Sequence, residues 1–95
     1  MTLIEKPTPR PSRRWEPIEQ DPHDGYYTAR LTYELPAKEH AAGLEPQVFG
    51  PDPDACLRET RRQDHLWVDL AVRGGDHELA QLRMRCLARG EEADR

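Results

Sequence analysis

No proline follows residue 53, although nine lie at or before it. Proline removes a backbone donor and fixes φ, so its absence leaves the second half free to form unbroken helix or strand. Asparagine is missing altogether and Ser12 is the single serine. Nucleophilic catalysis is therefore sparsely equipped. Aromatics are few, with one Phe, two Trp and three Tyr, and hydrophobic residues make up 36% against 34% charged. A core built from so little apolar material is thin, and thin cores in small domains are often completed by a partner or by self-association. No apolar run approaches the ~20 residues that cross a bilayer. The start, Met1-Thr2-Leu3-Ile4-Glu5-Lys6-Pro7, lacks the apolar stretch of a secretory signal. A cytoplasmic protein with no membrane partner is expected, with Cys56 and Cys86 as reduced thiols.

Charge and metal-ligand spacing exclude further classes. A net charge of −4 works against generic nucleic-acid binding, which relies on cationic surface. His23, His40, His65 and His77 are scattered, and neither Cys-x-x-Cys nor His-x-x-x-His occurs. No metal and no cofactor are expected. Cys56 falls in the first turns of an expected helix, but Asp52 and Asp54 nearby disfavour a thiolate, so it reads as a buried structural thiol. Cys86 lies on an apolar alternation and reads as core. Gly74-Gly75-Asp76-His77-Glu78 resembles the Gly-Gly-Asp-Glu turn of diguanylate cyclases and departs from it at His77. That family's nucleotide-binding fold does not fit in this length, so these residues are read as a glycine-rich turn.

Five prolines fall within residues 1–24, among few apolar side chains, and this stretch reads as an arm, disordered or docking on a partner. Its charges are positive at Lys6, Arg10, Arg13 and Arg14, then negative at Glu16, Glu19, Asp21 and Asp24. Trp15 sits at the junction. A solubilising tail needs no tryptophan, so Trp15 is the expected apolar anchor, steered by Arg10, Arg13 and Arg14.

Residues 25–90 read as one small domain, with 91–95 as a frayed tail. Tyr27, Ala29, Leu31, Tyr33 and Leu35 alternate with polar neighbours, which predicts a half-buried strand from Tyr26 to Leu35. Ala37 to Ala42 predicts a short helical turn closed by Gly43. Val48-Phe49 is expected to plug the core. Asp52-Pro53-Asp54 is a helix start, with the helix running to about Asp64. Leu66, Val68, Leu70 and Val72 then alternate with Trp67, Asp69 and Ala71, which predicts a second strand with Trp67 facing outward under some covering group. Residues 78–89 satisfy both a helix capped by Asp76 and a hairpin strand returning from Gly74-Gly75, and the sequence leaves the two open.

The expected fold is α+β, with two or three strands packed against one or two helices and a Pro-rich extended N-terminal arm. The expected function is that of a non-enzymatic protein-interaction module, an accessory subunit or small regulator of a larger assembly. Its binding residues would be Arg10, Arg13, Arg14, Trp15 and Trp67, and its partner a larger protein or a second copy. The alternative is a small nucleic-acid-binding regulator that uses the arm arginines.

Overall fold

The computed structural model describes residues 10–93, with side chains to Ala88. Three antiparallel strands and three helices make an α+β fold. The strands are β1 (Glu19–Gln20), β2 (Tyr27–Arg30) and β3 (Gln47–Gly50), in the order β1-β2-β3. The helices are α1 (Ala37–Ala41), α2 (Pro53–Arg73) and α3 (His77–Ala93).

The β1–β2 connection shows why the first 24 residues resemble an arm. Asp21, Pro22, Asp24 and Gly25 form a hairpin turn: the Asp21 carboxylate accepts from the His23 amide at 2.8 Å and Asp24 accepts from the Tyr26 amide at 2.8 Å. Gly25 sits at φ 77°, which glycine reaches without steric cost. The polar, Pro-flanked residues ahead of that turn are an edge strand, where proline and charge are at home. Residues 10–24 thus belong to the folded unit. The part of the expected arm before Arg10 lies outside the described residues.

Register follows the period-two pattern, but the strand expected from Tyr26 to Leu35 extends only over Tyr27–Arg30, with an isolated bridge from Leu31 to Trp15. Thr28 pairs with Glu19 on one side and Phe49 on the other, and Ala29 pairs with Val48. Tyr27, Ala29, Leu31 and Val48 therefore face α2, while Glu19, Thr28, Arg30 and Phe49 face away. Trp15, Ile18, Ala29, Leu31, Val48 and Cys56 form the core, with Tyr27, Leu35 and Leu57 packed on its margin. Gly50 is where β3 meets the first turn of α2. A β-carbon there would stand 2.4 Å from the Cys56 amide nitrogen, so only glycine permits the contact.

Helix α1 is capped by Ala42 and closed by Gly43 at φ 106°, and the fully buried Leu44 follows. Helix α2 begins as read: Asp52 accepts from the Ala55 amide at 2.8 Å and Pro53 occupies the first turn. It does not stop at Asp64. It runs 21 residues to Arg73, so the strand expected over His65–Arg73 is helix. No breaker separates Asp64 from His65, and extending an existing helix costs less than starting a strand. Gly74 and Gly75 end it, and Asp76 caps α3 through the Leu79 amide at 3.0 Å. The open choice over 78–89 is thereby helix, and α3 passes through Gly90, the expected stop, to Ala93. On that helix Cys86 is exposed, not core. No helix among the described residues is long and apolar enough to cross a membrane.

Candidate interaction surfaces

Asp64 is the joint that fixes which side chains remain outside. It is a buried carboxylate on α2, and one of its oxygens accepts twice: from Arg14 Nη1 at 2.6 Å and from Trp15 Nε1 at 2.9 Å. Arg14 also donates through Nε to the Tyr33 hydroxyl at 3.1 Å. Its guanidinium lies 4.3 Å from the centre of the Trp67 ring, and 5.6 and 5.9 Å from those of Trp15 and Tyr33. Arginine favours such a setting because its plane stacks on aromatic faces while its edges donate.

Trp67 carries a second guanidinium. Arg83 of α3 lies 4.7 Å from the ring centre, donates to the Trp67 carbonyl at 2.5 Å, and pairs with Glu39 of α1 at 3.0 Å. The covering group expected over Trp67 is therefore Arg14 together with Arg83. Trp67 itself is a helix residue.

Of the five expected binding residues, Arg14, Trp15 and Trp67 meet at this joint, and Arg10 lies beside it. Trp15 is 4% exposed, so it anchors its own domain and offers no ring to a partner. Arg13 is exposed in a turn, and Arg10 lines a cavity of about 100 Å³ with Ser12, Arg61, Asp64 and His65. Asp64, Tyr33 and Arg83 were missed. Their acid, hydroxyl and cation carry no local signature, because each meets its partner across 16 to 50 residues of sequence.

Among the described residues, two of the exposed surfaces carry large apolar side chains in pairs. On the outer face of the sheet Phe49 is 54% exposed and Tyr26 49%. Extending the β2–β3 register by one residue makes Tyr26 a diagonal neighbour of Phe49. A groove of about 310 Å³ lined by Glu16, Pro17, Glu19, Thr28 and Arg30 continues this face. Phe49 was expected in the core with Val48. The period-two rule could have separated them, since adjacent strand residues point to opposite faces. The second surface is a groove of about 770 Å³ between α2 and α3.

Burial, with Glu59 beside it, pushes the Cys56 thiol up from its ordinary range, which favours the unreactive neutral form. Among the described residues no three His, Cys, Asp or Glu side chains are grouped to hold a metal ion. None of the known protein families, curated proteins or solved structures compared with this chain matches it.

Proposed function

We propose that the protein is a non-enzymatic interaction module, an accessory subunit or small regulator, which binds a larger protein through the open face of its sheet. The observation that supports this most is the exposed Phe49 beside Tyr26, on the side of the sheet away from α2. Exposed aromatics on a rigid strand bind at low entropic cost, and aromatic residues are enriched at interface centres. Glu16, Glu19 and Arg30 supply a polar rim of mixed sign. A cytoplasmic setting belongs to the same reading, since both cysteines are free thiols.

The same face argues for a protein over a nucleic acid. Arg14 is taken up by Asp64, and acids border the sheet surface, which weakens any phosphate-attracting field. The test starts by capturing and identifying a partner from source cells, then reconstituting the complex from purified components. Phe49→Ala is expected to weaken it by ~2 kcal/mol, roughly thirtyfold, with the fold intact. Affinity should change little with salt. Unchanged affinity in a Phe49→Ala/Tyr26→Ala double variant overturns the reading, and a steep salt dependence favours nucleic acid instead.

A further inference from the structure

We infer that the groove between α2 and α3 is a self-association surface, occupied by the same groove of a second copy. The C-terminal half of α2 and all of α3 form a helical hairpin beyond the sheet. Ala71 of α2 and Ala80 of α3 are buried, and Arg83 of α3 reaches the Trp67 carbonyl and ring of α2. Leu66, Val68 and Val72 of α2 and Met84 and Leu87 of α3 line the groove, with Val72 45% and Met84 57% exposed. A two-helix layer cannot bury such a stripe alone. Two such hairpins, apposed, make a four-helix bundle whose apolar residues face inward.

The charges on the groove select the occupant. Arg62 and Asp69 both line it and stand seven residues apart on α2, about two turns along one side of the helix. Apposing a second copy antiparallel brings the Arg62 end of one groove toward the Asp69 end of the other, and two-fold symmetry repeats the pair. The surface is thus complementary to itself. In the single chain these residues hold only exposed intrahelical pairs, Arg62 with Glu59 at 3.0 Å and Asp69 with Arg73 at 2.7 Å. Such pairs contribute little and exchange readily. The groove shares no residue with the outer sheet face, so a dimer leaves two copies of that face open.

Sedimentation equilibrium of the full chain, with circular dichroism to check folding, tests this. The wild type is expected to dimerise. Val72→Glu and Met84→Glu, each placing a carboxylate against apolar surface, are expected to raise the dissociation constant more than ~10-fold while retaining helix content. Arg62→Asp and Asp69→Arg each set like charges against each other and should also weaken the dimer. Mixed in equal amounts, those two variants should recover association as a heterodimer, because one cross-pair reforms in its native polarity and the other with its polarity reversed. A wild type that stays monomeric up to about 1 mM, where binding is worth only ~4 kcal/mol, overturns the inference. So does a dimer indifferent to Val72→Glu and Met84→Glu, or a charge-reversed mixture that fails to associate. None of these outcomes bears on the sheet face, whose test is separate.

Discussion

Asp64 Oδ1 accepts from two donors that lie 49 and 50 residues earlier in the chain, so one oxygen closes most of the sequence into a single unit. Both partners are interior, Arg14 and Asp64 having side chains 3% and 6% exposed. Removing one member of a buried pair leaves the other charge without compensation, so Asp64→Ala should cost ~3–5 kcal/mol in urea unfolding. Trp15→Ala removes a core aromatic together with an indole hydrogen bond and should cost a similar ~3–5 kcal/mol. An exposed docking tryptophan would cost almost nothing. Cys56 gives a test with a defined sign. Its pKa is raised on folding, so its contribution is fully present below the thiol's ordinary value of 9.0 and falls as pH rises through the folded value. Stability should therefore decline above that pH in the wild type and decline less in Cys56→Ala. A thiol reagent should modify Cys86 in the native protein and Cys56 only on unfolding.

The elements divide into those with local signatures and those set by distant contacts. The cap at Asp52, the α1 turn closed by Gly43 and the alternation through β2 were legible, because each depends on neighbours within a few residues. Asp52→Ala should accordingly cost ~1 kcal/mol through loss of its bond to the Ala55 amide. The second half of α2 was not legible as helix. Leu66, Val68, Leu70 and Val72 alternate as a strand would, yet a helix sets alternate residues about 200° apart, so the four do not all share one face. That spread agrees with the partial burial of Leu66, Val68 and Leu70 and with the exposed Val72. The joint at Asp64 was illegible for the same reason. A buried acid on a helix rich in charge looks like any solvated residue until Arg14 arrives from fifty residues away. Arg83 pins α3 to the Trp67 carbonyl and to Glu39, both half-buried contacts. Arg83→Met, keeping the length and losing the donors, should destabilise by ~1–3 kcal/mol through the unpaired groups.

For the molecule as a whole these contacts make a sheet covered by α2 on one face and, among the described residues, open on the other, with a helical hairpin projecting beyond it. The core of Trp15, Ile18, Ala29, Leu31, Val48 and Cys56 lies between the sheet and α2, and Phe49 with Tyr26 and the α2–α3 groove stay exposed. Interaction through those surfaces requires that residues from Arg10 onward belong to the same cooperative unit as α2. Were they a loose arm, Trp15 would be free to bind and the sheet would lose its β1 edge. Native-state hydrogen exchange in a dilute sample decides this most directly. The Trp15 indole N–H is bonded to Asp64, the Glu16 amide to the Arg30 carbonyl and the Asp21 amide to the Tyr26 carbonyl. The expected result is that the indole and the Glu16 amide exchange with the same opening free energy as the amides of central α2, while Asp21, at the hairpin end, exchanges at or below it. Exchange of the Trp15 indole and the Glu16 amide at unprotected rates, with α2 still protected, would contradict the account.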